Sequence, residues 1–299
     1  MNESRFYTQS QDLPISVAPK RIVSLVPSMT ETLFDLDLGH LIVGRTDYCI
    51  RPTDKVGNIA AIGGTKNPRV EDIIALTPDL VIANREENRR EDVEALEAAG
   101  IPVWVTFPQT VQDVFNLMWN IMYLCDITTM VERVRLIEWT YDWVNNIAED
   151  KELTDPVRVF CPIWLDPLMT ANANTYMHDL IRVCGGSNVF AERERLYPLA
   201  ADLGQQDPLP DIDARVVGRD TRYPRITWEE VEQAQPDVIL LPSEPFEFTE
   251  EHIPLFAKLD TPASRNNRIH LVDGALLTWH GTRLAFALNE LPTIIRPLN

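Results

Sequence analysis

Trp279 and His280 end an apolar strand-and-loop segment just ahead of Gly281, and together they offer a large flat apolar face and a metal-binding ring nitrogen. An indole laid on a flat ligand buries apolar area with defined geometry. A neutral imidazole can present a ring nitrogen to a metal. No further metal-ligating side chain stands close to His280 in sequence, which disfavours a metal site built by the chain's own side chains. A helix cap or a core edge would use the same pair equally well. Other candidates lie in the loops that follow apolar, strand-like runs: Ser28, the pair Asp47-Tyr48, Gly64, Arg85 with Glu86, and Trp164. Tyr223 precedes the last helix–Pro-Asp–strand unit. Each suits a ligand wall or an ordinary turn. His178 and Asp179, near Cys184, match no standard metal spacing and read as structural.

The chemistry these positions offer is recognition. There is no GxSxG elbow, no phosphate-binding loop, no GxGxxG after a strand and no HExxH. Carboxylates are plentiful, but no pair stands out as an acid and base. No catalytic residue and no catalytic cofactor are assigned. An enzyme using Asp47, Glu86 or His280 is the weakest of three readings.

The elements that must position these residues can be read from apolar periodicity. Residues 21–26 read as a buried strand, with Ser28 or Thr30 capping a helix that runs to about Gly39. Short strands follow at 41–44, 80–83 and 101–105, separated by helices at 71–77 and 89–99. Strand and helix alternation predicts parallel sheets covered on both faces. After a helix at 110–124, a longer one is expected from Thr128 to Ala148. Its apolar positions Met130, Val134, Ile137, Tyr141, Val144 and Ala148 are spaced 4, 3, 4, 3 and 4 apart. The second half opens on a strand at 157–165 and has a helix at 176–183. Residues 191–225 read as an irregular excursion. Helix 228–234, strands 238–241 and 269–272, and a final helix 281–291 complete it.

A repeat organises the chain. Glu71-Asp72-Ile73 leads to Pro78-Asp79-Leu80, and Glu229-Glu230-Val231 leads to Pro236-Asp237-Val238; 229 − 71 and 236 − 78 both give 158. A shared offset over a helix–Pro-Asp–strand unit predicts two lobes of similar build. The expected fold is α/β: two Rossmann-like lobes with central parallel sheets, joined by one long backbone helix, with the ligand cleft between them. The expected boundaries are 20–125 for the first lobe, 126–152 for the connecting helix and 153–299 for the second lobe. In open parallel sheets ligands sit beyond the carboxyl ends of the strands, which is where the candidate loops fall.

A formal charge of −18 disfavours nucleic acid and anionic lipid as partners. No run of about 18 apolar residues exists to insert into a membrane. The four cysteines form no CxxC pair and read as buried free thiols. The opening residues carry no signal-peptide pattern and no lipid-attachment cysteine. As the sequence reads, the expected compartment is the cytoplasm, or the periplasm or exterior if a leader precedes it. A monomer is expected.

Several ordered segments resemble the helical-backbone class of solute-binding proteins, which serve vitamin B12, haem and ferric-siderophore uptake. They are RIVSLVPSMTETLF at 21–34, RTDYC at 45–49, RVEDIIALTPDLVIA at 69–83, LEAAGIPV at 96–103, DLIRVCGGSNVF at 179–190 and RYPRITWEEVEQAQPDVIL at 222–240. The similarity is greatest to the vitamin B12-binding branch. It implies a two-lobed binding protein for cobalamin or a related metal chelate (corrinoid, haem or ferric siderophore), working with an ABC permease. It implies cleft aromatics at Tyr48, Tyr223 and Trp279-His280. It also implies permease-docking glutamates at Glu71 and Glu229, with Glu230 a competitor. The chain departs from that branch at Gly63, Gly64 and Asn84, near where cleft tryptophans would stand. The alternative is a cytoplasmic corrinoid- or tetrapyrrole-handling or sensing protein without a permease.

Overall fold

The computed structural model describes residues 13–150 and 156–296. Residues 151–155, which carry the expected boundary between the connecting helix and the second lobe, lie outside the described residues. So does most of the N-terminal segment searched for a leader. The chain divides into two compact units. One holds the residues up to Trp139 together with Trp279–Ala285; the other holds Thr140–Thr278 and the residues from Phe286 onward.

In the first unit the order is β1 (Ile22–Ser24), α1 (Pro27–Asp35), β2 (Ile42–Arg45), β3 (Ala60–Ala61), α2 (Val70–Ala75), β4 (Leu80–Asn84), α3 (Arg90–Ala98), β5 (Val103–Thr106) and α4 (Val111–Leu124). The strands form one parallel sheet in the order β3-β2-β1-β4-β5. Strands buried on both faces must be apolar throughout, and β1 and β4 are nearly so. Val23, Leu25, Ile73, Val81, Ala83 and Leu96 pack into one core. Each fully buried aliphatic side chain the size of valine or leucine contributes about 1.5–3 kcal/mol. The helix α5 (Val131–Glu149) then carries the chain from the first unit into the second.

The second unit continues with β6 (Val157–Phe160), β7 (Pro162–Leu165), β8 (Leu168–Thr170), α6 (Tyr176–Val183), β9 (Gly186–Asn188), α7 (Leu199–Asp202), α8 (Trp228–Ala234), β10 (Val238–Pro242), α9 (Ile253–Ala257), α10 (Pro262–Arg265), β11 (Ile269–Val272), α11 (Ala275–Thr278) and α12 (Leu284–Ile295). Its main sheet is parallel, in the order β11-β10-β6-β9, while β7 and β8 form a separate antiparallel hairpin. Phe160, Phe190, Val231, Ile239, Leu241 and Phe256 lie in its core.

The repeat has a physical basis. In the first unit Asp79 accepts hydrogen bonds from the backbone N–H groups of Lys20 and Arg21, at 2.8 and 2.9 Å. The Arg21 guanidinium in turn donates to the carbonyls of Leu76 and Thr77. In the second unit Asp237 accepts from the Arg158 N–H at 3.0 Å, and Arg158 donates to the carbonyls of Ala234 and Gln235. Thr77 and Gln235, again 158 apart, are both left-handed, with φ of 46° and 44°. Each unit thus clamps a helix end and a strand start with the same Arg–Asp pair, satisfying carbonyls a helix C-terminus leaves open.

Some expectations are corrected. Ser28 and Thr30 do not cap α1; they lie inside it, because Pro27 opens the helix at its first position and Val26 precedes it without a side-chain cap. The helix ends at Asp35 rather than near Gly39. The apolar run at 157–165 is not one strand: Pro162, with no N–H to donate, follows the end of β6 and starts the hairpin. Cys49, Cys161 and Cys184 are buried free thiols, but Cys125 is only half-buried. Residues 279–285, placed by chain order in the second lobe, belong to the first unit, held there by α1.

Candidate functional site

Because the first unit's sheet is parallel, the carboxyl ends of its strands share one edge. Strand order reverses at β1, flanked by β2 and β4, which makes this edge the expected ligand side. Four loops meet there, and Asn88 ties three of them together. Its Oδ1 accepts from the Asn84 N–H at 2.8 Å, and its Nδ2 donates to the carbonyls of Leu25 and Thr65. The loop after β2 is held by the Asp47 N–H donating to Gly63 O at 2.8 Å and by a 3.1 Å contact of Thr46 Oγ1 with Cys49 Sγ.

On this frame Tyr48 is 64% exposed. Gly64 stands beside it. A Cβ at Gly64 would lie 3.5 Å from Tyr48 Cε2 and 3.0 Å from Asn67 Oδ1, so glycine keeps the space by the ring open. Arg85 is exposed and places its guanidinium 4.8 Å from the Phe107 ring centre. Asp47 is exposed. Ser28 is buried, and its hydroxyl has no hydrogen-bond partner among the described residues.

Trp279 is half-buried. The guanidinium carbons of Arg51 and Arg283 lie 5.4 and 5.8 Å from its ring, within cation–π range. Arg283 forms a two-pronged ion pair with Glu31 of α1, and both are nearly buried. Thr282 Oγ1 donates to Asp35 at 2.7 Å, and its N–H donates to Thr32 Oγ1 at 3.2 Å. Gly281 has φ of +84°, and a Cβ there would sit 1.9 Å from Thr32 Oγ1. His280 is buried, and burial depresses its imidazole to about 4, opposed by the nearby Asp113 carboxylate. The ring is therefore neutral at physiological pH. Among the described residues no group of three or more His, Cys, Asp or Glu side chains is placed to hold a metal ion.

In the second unit Trp164 projects from the β7–β8 hairpin, just past the end of β6. Its indole N–H donates to Asp166 O at 3.2 Å, and its ring meets Phe246 edge-on at 5.6 Å. Phe246 follows β10 and packs on Phe248 and His252. Tyr223 is half-buried on a segment bonded along β8, with the Arg222 guanidinium 5.2 Å from its ring. Arg51, Phe107 and Phe246 were not singled out from the sequence, although Arg51 and Phe246 stand in loops after strands. A cavity of about 760 Å³ lies elsewhere in this unit, lined in part by Arg193, Asp202 and Glu230. Arg193 bonds Glu230 and Asp202 and three carbonyls, so it staples the excursion at 191–225 in place.

Glu71 and Glu229 occupy the same place, the second position of α2 and of α8, and both are exposed. Glu230 is engaged: it closes a capping box with Thr227 and pairs with Arg193 at 3.0 Å.

Two parallel α/β units joined by a long helix, with aromatic and cationic groups at the strand ends, describe a binder. The sequence model of the periplasmic binding protein family matches residues 22–274. The chain belongs to that family. It is a solute-binding protein of the helical-backbone class, and its family is one of binding proteins, not enzymes. A vitamin B12-binding protein of Yersinia pestis (strain Pestoides F) is 27% identical over 182 residues, 60% of this chain and 64% of the relative. The chain thus spans under two thirds of the length of the curated relatives it matches. Among solved structures, the periplasmic vitamin B12 binding protein BtuF of Vibrio cholerae matches with a TM-score of 0.72 at 19% identity, over 94% of this chain and 98% of that one. The periplasmic heme-binding protein RhuT from Roseiflexus sp. RS-1 matches with a TM-score of 0.68 at 24% identity, over the same shares. At these identities the structural likeness speaks for the fold alone. No helix among the described residues is long and apolar enough to cross a membrane.

Proposed function

We propose that this chain is the solute-binding component of an ABC uptake system for cobalamin or a related metal chelate (corrinoid, haem or ferric siderophore). The observation that carries the reading is the carboxyl edge of the first unit, where Tyr48 stands exposed and Trp279 is flanked by two guanidiniums. Aromatic faces suit a planar macrocycle, and arginines suit its amide, phosphate or propionate fringe. The 27% identity to vitamin B12-binding proteins supports cobalamin as the first ligand to test. Ser28, Asp47, Gly64, Arg85, Trp164, Tyr223 and His280 are proposed contacts of lower weight, and His280 reaches a chelated metal only if its burial is relieved. Glu71 and Glu229 are proposed to dock onto the permease, since both are exposed while Glu230 is engaged. In this reading the protein works in the periplasm or outside the cell.

The test is a calorimetric titration of the purified chain with cyanocobalamin, followed in parallel by visible absorbance. Saturable one-to-one binding is expected, weakened about tenfold or more in Tyr48→Ala and in Trp279→Ala, the loss of about 1.4 kcal/mol of stacking in each. Binding of haemin instead of cobalamin would keep the function and change the ligand. Binding of no cobalamin, haemin or ferric chelate would sink it.

A further inference from the structure

The excursion at 191–225 holds six arginines: Arg193, Arg195, Arg215, Arg219, Arg222 and Arg225. Three have carboxylate partners: Arg193 pairs with Asp202 and Glu230, Arg215 with Asp213, and Arg222 with Asp220. The other three, Arg195, Arg219 and Arg225, have no ion pair among the described residues, although the chain carries 45 Asp and Glu against 27 Lys and Arg. Two of them meet on one ring. The guanidinium carbons of Arg195 and Arg219 lie 4.5 and 5.1 Å from the centre of the Tyr197 ring, so the two charges stand within about 10 Å of each other, roughly a Debye length. Tyr197 is buried and donates its hydroxyl to Asp220 O at 2.7 Å, which fixes the ring. The backbone is fixed as well: the Arg195 N–H donates to Thr221 O at 2.8 Å, and the Arg225 N–H donates to Asp202 Oδ2 at 2.7 Å. Burial, and next the charge of Arg195, lowers the Arg225 guanidinium from its ordinary pKa, against the pull of Asp202. Asp220 is within electrostatic reach of Arg195, but Arg222 holds both of its oxygens.

Like charges gathered at half-buried positions cost free energy unless something negative completes them. Arg195 and Arg225 are half-buried, and Arg219 is exposed, which leaves a way in from solvent. Stacking on Tyr197 uses the faces of the Arg195 and Arg219 guanidiniums. Their N–H edges have no acceptor among the described residues. We propose that Arg195, Arg219 and Arg225 form an oxyanion-binding site, for a phosphate or carboxylate group. Planar guanidiniums meet such groups with paired N–H donors, and the charge-assisted bonds are stronger than neutral ones. The site hangs from the segment that leaves β9 at its carboxyl end, the ligand side of a parallel sheet. Tyr223, a proposed solute contact, stands two residues before Arg225 and accepts from its guanidinium through the backbone carbonyl at 3.0 Å. The oxyanion site does not rest on the proposed function; only the identity of the molecule that carries the oxyanion does.

The test is isothermal titration of the full chain with sodium phosphate and with sodium citrate in chloride buffer, for the wild type, Arg195→Gln and Arg219→Gln. Circular dichroism confirms folding, and Arg219, being exposed, is the position least able to disturb it. Saturable binding of either anion, with a dissociation constant raised tenfold or more in each folded variant, supports the proposal. Phosphate is also expected to raise the thermal midpoint of the wild type and not that of Arg219→Gln. Arginines that only brace Tyr197 would change the midpoint equally with and without phosphate. Binding of neither anion overturns the proposal, and so does binding that neither substitution weakens. Titration with cyanocobalamin, which carries a phosphate, and with haemin, which carries carboxylates, in the presence and absence of saturating phosphate identifies the carrier. Solute binding weakened tenfold or more by phosphate puts the oxyanion on the solute, and solute binding untouched by phosphate makes it a free ion. Phosphate binding without binding of any solute leaves the site standing and removes the uptake reading. Solute binding without phosphate or citrate binding does the reverse.

Discussion

His280 makes the native state acid-sensitive in a way that can be measured. The residue is 5% exposed, and burial lowers its imidazole from 6.5 to about 4, with Asp113 pulling weakly the other way. The folded chain therefore binds this proton less readily than the unfolded chain does. The stability held by the neutral ring is whole above about pH 6.5 and is lost as pH falls toward about 4. At about 1.4 kcal/mol per pH unit, the full loss is about 3 kcal/mol, of which roughly 2 kcal/mol falls between about pH 7.5 and pH 5. Urea unfolding of the wild type and His280→Gln at those two pH values isolates this part by subtraction. His178 and His270 are also lowered by burial and act in the same direction, so the total loss is larger than the His280 share. An imidazole resonance titrating near 4 in the folded wild type would agree independently. An equal pH dependence in wild type and His280→Gln, or a folded-state midpoint near 6.5, would refute the reasoning.

Two further outcomes follow from the same segment. Arg283→Met leaves the Glu31 carboxylate nearly buried without its partner and is expected to cost about 3–5 kcal/mol in urea unfolding, while Arg283→Met combined with Glu31→Leu costs less than the two single changes added. Gly281→Ala combines a positive φ with a Cβ driven into Thr32, and is expected to lower stability by more than about 1 kcal/mol; a neutral result by thermal melting would show that α1 yields there.

The fold was legible because its signals are local. Apolar runs bounded by Pro-Asp and Gly marked the strands of both units, and 3.6-residue spacing marked α4, α6 and α8 to within a residue or two. What the sequence hid is long-range. Nothing near Trp279 indicates that the following residues lock onto Glu31, Thr32 and Asp35, about 250 positions earlier, because an ion pair of that span leaves no periodic trace.

The repeat shows which parts of such a site a sequence can reveal. At the amino ends of the strands the two units use one device: Arg21 with Asp79, Arg158 with Asp237, and a left-handed residue at Thr77 and Gln235. Folding imposes these, because a helix end and a strand start must be joined without open carbonyls. At the carboxyl ends the correspondence fails. An offset of 158 takes Arg85, the first residue past β4, to Ser243, the first past β10, a side chain of different chemistry. No folding constraint ties those loops together, so they are free to differ and to meet different parts of a ligand. The scaffold is therefore readable twice over from one chain, whereas each contact residue at the strand ends has to be established by its own substitution.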